Sequence, residues 1–156
     1  MCDVSNLSSK MGDFATCSRK VLVTGVFDCF HQEHLNFLRA ARKVGDCLIV
    51  GVESDPRVRD LKGEGRPVKT QQHRVGEVGQ LAEVDLAFIL PTNFHLESQR
   101  LQVLKVIKPQ YLAVSSHTPN LQNKKKLLEL IDGELVVVYN HQPHTSTSQI
   151  IKHLSR

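Results

Sequence analysis

The feature that most constrains the fold is the stretch VLVTGVFDCFHQEH at residues 21–34. It begins with a β-branched apolar run that is typical of a buried central strand, and Thr24 and Gly25 end that run. A short loop follows, and from Gln32 onward apolar residues recur at helical spacing. The stretch therefore predicts a strand, a loop and the first turn of a helix in direct succession.

Two histidines lie where this loop reaches the helix. His31 and His34 are three residues apart, so they point the same way on a first helical turn. Helix N-termini present unpaired backbone N–H groups and positive dipole ends, and imidazoles donate hydrogen bonds, so the position is suited to a nucleotide's phosphates. Two alternatives are a solvated helix start and a transition-metal site formed with Cys29 and Cys47. The metal site is the weaker alternative, because no second ligand pair has zinc-site spacing.

Length and composition limit the class of protein. The chain has 156 residues, enough for one domain and too few for two full ones. Its 40% hydrophobic content can fill a core, whereas 5% aromatic content and no Trp argue against a stacking-based nucleic-acid surface. The net charge of +4 suits an anionic ligand, but it is not gathered into one basic face. We therefore expect a small-molecule partner and no nucleic acid.

The cysteines and the apolar segments bear on location. The four cysteines contain no CxxC pair, which favours free thiols in a reducing cytosol over a disulfide framework. No stretch approaches the ~18 apolar residues of a membrane span, and residues 1–19 lack the apolar core of a secretory signal. These features predict a cytoplasmic protein without a membrane partner.

Strands and helices alternate along the chain. Residues 1–19 are polar and aperiodic, which predicts a flexible N-terminal leader. Strands are predicted at about 20–24, 47–52, 86–90, 111–114 and 135–139, and helices at about 32–44, 71–82, 96–107 and 122–131, with a terminal helix that begins near Ser146 or Thr147. Residues 53–70 form a long connection rich in charge, Gly and Pro, of the kind that is usually functional. This alternation predicts an α/β fold with a doubly wound, mostly parallel, five-stranded sheet.

Ligands of doubly wound sheets bind at the carboxyl ends of the strands, where the winding changes direction. Three segments begin just after predicted strands, at residues 24–34, 53–70 and 140–149. They are expected to converge on one crevice.

Separated motifs in a fixed order carry a family resemblance. They are the stretch 21–55, LKGEGRPV at 61–68, HR at 73–74, VD at 84–85 and HTSTSQII at 144–151. Together they resemble the cytidylyltransferase-like nucleotidyltransferases, most of all the heptose-1-phosphate adenylyltransferase domain, with glycerol-3-phosphate cytidylyltransferase more distant. The resemblance covers about residues 20–153, and it identifies residues 20–156 as a Rossmann-like nucleotidyltransferase domain.

This resemblance implies a reaction. The phosphate of a small sugar or polyol phosphate attacks the α-phosphorus of a nucleoside triphosphate, and pyrophosphate leaves. The nucleophile is already an anion, so positioning and charge stabilisation carry most of the catalysis. ATP is implied rather than CTP, together with Mg²⁺ and a homodimer.

The resemblance also assigns roles to residues. His31 and His34 match the histidines of the family's HxGH motif, Lys62 matches its mobile-loop lysine, and these three are expected to be catalytic. Arg74 matches a phosphate or substrate anchor. The other expected nucleotide-binding residues are Thr24, Gly25, Val26, Phe27, Asp28, Ser115 and the hydroxyl run Ser146, Thr147 and Ser148.

Three positions depart from the family pattern. Glu33 replaces the glycine of HxGH, residues 114–117 read VSSH where the heptose enzymes carry Lys-Gly-Gly-Asp, and His144 replaces a glycine. Glu33 brings a negative charge toward the expected triphosphate. The departures favour an alternative hypothesis, a catalytically degenerate module that binds a nucleotide or sugar phosphate. A fragment of a class I tRNA synthetase fails on length.

Overall fold

The structure, a computed structural model, describes residues 4–139. Five strands form one sheet: β1 (Lys20–Gly25), β2 (Cys47–Val52), β3 (Leu86–Ile89), β4 (Tyr111–Ser115) and β5 (Glu134–Tyr139). Their spatial order is β3-β2-β1-β4-β5, and every neighbouring pair is parallel. The predicted α/β fold with a five-stranded parallel sheet is confirmed. The winding changes direction between β1 and β4, so the carboxyl ends of these strands flank the expected crevice.

Helices cover both faces of the sheet. They are α1 (Val4–Lys10), α2 (Gln32–Arg42), α3 (Asp55–Lys62), α4 (Gln71–Gly79), α5 (Glu97–Ile107) and α6 (Leu121–Glu129). One buried cluster joins the sheet to α1, α5 and α6, and a second joins the opposite face to α2 and α4. All six residues of β2 are buried, as the continuous apolar run of a doubly covered parallel strand requires. Within the described range, no helix has the length and apolarity needed to cross a membrane.

The expected flexible leader is wrong for residues 4–14. Here α1 is followed by a short 3-10 helix, Met11–Phe14, and Leu7 and Met11 are buried in the cluster that contains α5. Leu7 and Met11 are four residues apart, about one helical turn, and the segment is short. Polar residues between those contacts conceal the helical period, which is why the sequence pattern does not predict it.

The expectation of free thiols is wrong for one pair of cysteines. Cys17 and Cys47 form a disulfide, with their Cα atoms 6.4 Å apart. In the register of β1 and β2, Lys20 pairs with Cys47, and Asp46 N–H donates to Arg19 O at 2.8 Å. The segment before β1 therefore runs beside the start of β2. This proximity comes from strand pairing, and a sequence separation of 30 residues gives no motif for it.

The long connection at residues 53–70 contains a helix that the pattern does not predict. Ser54 caps α3, since its side chain accepts a hydrogen bond from Arg57 N–H at 3.4 Å. Val58 is the one buried side chain of α3, so the helix has almost no apolar stripe. The other predicted strands and helices within the described residues end within three residues of the observed bounds. The expected terminal helix near Ser146 lies outside the described residues.

Candidate active site

The two predicted histidines cap the N-terminus of α2 together. His31 is the N-cap residue, and its Nδ1 accepts a hydrogen bond from Glu33 N–H at 3.1 Å. The Nδ1 of His34 accepts from His31 N–H at 3.2 Å, which completes a reciprocal capping box. Because both Nδ1 atoms are acceptors, a neutral ring in this arrangement carries its proton on Nε2.

Aromatic packing fixes the orientation of the two imidazoles. The rings of His31 and His34 stack with centroids 3.9 Å apart and an interplanar angle of 25°. Phe27 and Phe30 contact the His34 ring with centroid distances of 5.5 Å and 5.2 Å. The stacked rings therefore lie together at the positive end of α2, a position that suits a phosphate.

The loop after β1 makes a tight turn toward α2. A Cβ atom on Gly25 would lie 2.9 Å from Cε2 of Phe27, so this glycine permits the close approach of the ring. Phe27 has a positive φ of 53° and a buried side chain, which leaves its main chain as the part available to a ligand. Val26 O accepts a hydrogen bond from Arg74, and Thr24 faces a cavity on the other side of the sheet. The predicted residues 24–27 thus divide between two environments.

Asp28 lies in the interior and joins two loops. Its side chain is fully buried and accepts hydrogen bonds from Val68 N–H at 2.7 Å, Lys69 N–H at 3.0 Å and Arg66 Nε at 3.1 Å. Burial alone would raise the pKa of Asp28, but the bonds from Val68, Lys69 and Arg66 outweigh it and hold the pKa below its ordinary value. These contacts give Asp28 a positioning role between loops 26–31 and 63–70.

Arg74 is also fully buried, although it was expected to contact phosphate or substrate. Its Nη1 donates to Val26 O and to Glu53 O, both at 2.8 Å, and its Nε donates to Lys69 O at 3.0 Å. Its Nη2 forms an ion pair with Asp55 at 2.8 Å. The guanidinium thus connects the ends of β1 and β2 with the first turns of α3 and α4.

The remaining predicted residues lie at the ends of α3 and β4 or outside the described range. Lys62 is the last residue of α3 and is exposed to solvent. Ser115 ends β4, and its N–H donates to Thr118 Oγ1 at 3.2 Å. Ser146, Thr147 and Ser148, like His144, lie outside the described residues.

A small cavity next to Thr24 contains charged residues that the sequence did not single out. It has a volume of about 80 Å³, and Glu53, Arg100 and Lys124 line it together with aliphatic side chains. Glu53 directly follows β2. For Lys124 the sequence does contain a signal, because it lies three residues before the buried Leu127 and therefore on the same face of the helix. The run of three lysines that contains Lys124 instead predicts a solvated face.

Burial changes the titration of both groups. It raises the pKa of Glu53, against the influence of nearby cations, of which Arg57 acts most strongly. It lowers the pKa of Lys124, and the charge of Arg100 lowers it further, while Glu53 acts in the opposite direction. The cavity therefore contains charged groups that are partly withdrawn from solvent.

A second, more open cavity of about 270 Å³ lies between α3 and the start of α4. Arg59 and Arg66 line it, and Arg66 Nη2 is buried without a hydrogen-bond partner among the described residues. Within the same range, no group of three or more His, Cys, Asp or Glu residues could hold a metal ion. The alternative metal site is further weakened because Cys47 is bonded to Cys17.

Comparison with known proteins gives the family. Residues 22–153 match the family described as cytidylyltransferase-like. The bifunctional protein HldE of Desulfatibacillum aliphaticivorans is 29% identical over 146 residues, which are 92% of this chain and 29% of that protein. HldE of Haemophilus influenzae (strain PittGG) is 35% identical over 138 residues, which are 85% of this chain and 27% of that protein. The chain thus spans less than a third of these relatives.

The fold has a solved counterpart. The lipopolysaccharide core biosynthesis protein from Thermoplasma volcanium GSS1 superposes with a TM-score of 0.65 at 23% identity, over 80% of this chain and 97% of that one. Its likeness supports the fold seen here. Because the family match covers most of the sequence and agrees with the motifs at 21–34 and 61–68, the chain belongs to the cytidylyltransferase-like family of nucleotidyltransferases.

Proposed function

We propose that the chain transfers AMP from ATP to a small sugar or polyol phosphate. A phosphate oxygen of the acceptor forms a bond to the α-phosphorus, the bond between the α-phosphorus and the bridging oxygen breaks, and pyrophosphate leaves. The observation that carries the proposal is the stacked pair His31 and His34 at the N-terminus of α2, beside the point where the winding changes direction. Nucleotidyl transfer needs fixed hydrogen-bond donors around a phosphorus that gains charge, and this pair supplies them.

The proposed roles follow from position and chemistry. The Nε2–H groups of His31 and His34 donate to triphosphate oxygens, and the dipole of α2 adds positive potential. The acceptor phosphate is already ionised at neutral pH, so no general base is required. Lys62, exposed at the end of α3, closes over the α-phosphate when substrate binds. Asp28 and Arg74 position these groups from the interior, because their hydrogen bonds are made to the chain itself.

Mg²⁺ enters in this proposal as part of the substrate, MgATP. Triphosphate oxygens and water satisfy most of its octahedral shell, so a cage of protein ligands is not needed. The hydroxyl run Ser146 to Ser148 is proposed to hold the β- and γ-phosphates, and Ser115 to contact the nucleoside. We further propose that the chain acts as a homodimer in the cytoplasm, with neither nucleic acid nor membrane as a partner.

The test is pyrophosphate release. The wild type is incubated with MgATP or MgCTP and a panel of sugar and polyol phosphates, beside His34→Ala and the control His95→Ala, which changes an exposed histidine. We expect release with MgATP and at least one acceptor, a loss of about 100-fold or more in His34→Ala, and no loss in the control. A wild type that binds MgATP in a calorimeter but is silent with every acceptor would overturn the transferase in favour of a binding module.

A further inference from the structure

The small cavity beside Thr24 is lined by both charged and apolar side chains. Thr24 and Glu53 stand at the carboxyl ends of β1 and β2, and Arg100 on α5 and Lys124 on α6 face the same space. The rest of the wall is mostly aliphatic, with Leu104 among its residues. Charged groups therefore meet in a space that otherwise resembles core.

These charged groups do not neutralise one another. Glu53 Oε2 is buried and has no hydrogen-bond partner among the described residues. Within the same part of the chain, no ion pair of 4.0 Å or less joins Glu53 to Arg100 or Lys124. A carboxylate oxygen that is buried without a hydrogen-bond partner costs stability, so a ligand group that donated to Glu53 Oε2 would remove that cost.

The two cations retain donors for a ligand. Arg100 uses Nε to donate to Phe94 O at 2.9 Å, and its guanidinium lies over the Phe94 ring, 5.8 Å from the centroid. In the described range this is the hydrogen bond that its side chain makes, which leaves the two Nη groups. Lys124 Nζ donates to Pro119 O at 3.0 Å, and an ammonium has two further hydrogens.

The charges and the volume define what fits. Arg100 and Lys124 against Glu53 leave the lining with an excess of positive charge, which suits one anionic group. A volume of about 80 Å³ holds a group of a few atoms. Glu53 Oε2 accepts hydrogen bonds when ionised, so a hydroxyl group next to the acid would satisfy it.

We infer that this cavity is the subsite for the far end of the acceptor. It selects phosphates that also carry an acid group, bound between Arg100 and Lys124, with a neighbouring hydroxyl that donates to Glu53. The inference rests on the transfer proposed above, because the acceptor's reacting phosphate then extends past Thr24 toward His31 and His34. A carboxylate and a second phosphate share the required chemistry.

Matched ligand pairs test the inference by calorimetry in the presence of α,β-methylene ATP and Mg²⁺. One pair is 3-phosphoglycerate and glycerol 3-phosphate, which differ in a carboxylate, and the other is fructose 1,6-bisphosphate and fructose 6-phosphate, which differ in a phosphate. We expect the wild type to bind the acid member of at least one pair about tenfold more tightly or better. The pair that shows the larger difference identifies the acid group.

Variants then assign the preference to the cavity. Lys124→Gln and Arg100→Gln should each bring the affinities for the two members of a pair to within about twofold of each other. Lys126→Gln, on the exposed side of α6, should retain the preference of the wild type. Arg100 also supports Phe94, so Lys124→Gln is the primary variant if Arg100→Gln folds poorly. A preference that survives in Lys124→Gln would overturn the inference.

The outcomes separate the inference from the proposed function. Equal binding within both pairs, or no binding of any of the four ligands, overturns the subsite. Pyrophosphate release by the wild type without an acid preference leaves the transferase standing and the subsite refuted. An acid preference that disappears in Lys124→Gln, in a protein that releases no pyrophosphate with any acceptor, retains the cavity as an acid-binding site and refutes the transfer.

Discussion

The carboxylate of Asp28 accepts a hydrogen bond from the main-chain N–H of Val68 at 2.7 Å, and this bond joins the loop after β1 to the loop before α4. Lys69 N–H and Arg66 Nε bind the same carboxylate at 3.0 Å and 3.1 Å. Since Asp28 is fully buried, water does not compete for these bonds. The histidine loop and the 61–68 motif are therefore held in one fixed relation.

Removing the charge of Asp28 should destabilise the fold. In Asp28→Asn, one amide oxygen must serve the donors that two carboxylate oxygens now serve, and Arg66 loses its ion-pair partner in a nearly buried position. We expect the free energy of unfolding in urea to fall by about 3 kcal/mol. Asp60→Asn, on the exposed side of α3, serves as control and should change it by less than about 0.5 kcal/mol. Equal losses in the two variants would contradict this role.

The same carboxylate should make stability depend on acid pH. The pKa of Asp28 is lowered on folding, so the folded state favours the ionised form. The contribution of Asp28 to stability is complete above the ordinary aspartate pKa of about 4. It is lost as the pH falls through the lower pKa that Asp28 has in the folded state. Urea unfolding from pH 7 to pH 2 should show the gap between wild type and Asp28→Asn narrowing only below about pH 4. A gap that is constant down to pH 2 would argue against an ionised Asp28.

Arg74 should behave as a structural residue. Arg74→Lys keeps the charge but cannot reach Val26 O, Glu53 O, Lys69 O and Asp55 together. We expect a loss of about 3 kcal/mol in the free energy of unfolding. Arg39→Lys, at a half-exposed ion pair, should lose less than about 0.5 kcal/mol. A raised KM for MgATP with unchanged stability would instead support the phosphate anchor that the motif predicts.

The sequence predicts the sheet well because its strands are continuous apolar runs and α2 has a regular apolar face. It does not predict α1 and the 3-10 helix after it, where the buried residues Leu7 and Met11 are separated by polar residues. The sequence also predicts that Arg74 contacts a ligand. An arginine at a helix start beside a phosphate-binding motif has no sequence feature that indicates a buried side chain. The cavity of Glu53, Arg100 and Lys124 depends on three distant segments, and only the packing of α5 and α6 brings them together.

Lys62 should affect catalysis without affecting stability. It is exposed at the end of α3, so its removal costs no packing. Lys62→Ala should reduce kcat for pyrophosphate release by about 100-fold if the ammonium stabilises charge on the α-phosphate. Lys105→Ala, an exposed lysine of α5, is the matched control. Full activity in Lys62→Ala, with both variants as stable as wild type, would remove Lys62 from the site.

Glu33 should weaken triphosphate binding by its charge. Its N–H supports His31 through the main chain, and Glu33→Gln keeps this bond while removing the negative charge at the N-terminus of α2. We expect the KM for MgATP to fall about two- to fivefold at low salt, with a smaller change at 0.5 M salt because ions screen the repulsion.

The control for this charge effect is Glu97→Gln, which changes an exposed carboxylate in the first turn of α5 and should leave the KM unchanged. If the KM rises in Glu33→Gln, the carboxylate assists the substrate, for example by contacting the magnesium that the triphosphate carries. Glu33, in place of the glycine of the family motif, would then strengthen the binding of MgATP. The direction of the change in KM therefore decides whether Glu33 repels the triphosphate or assists its binding.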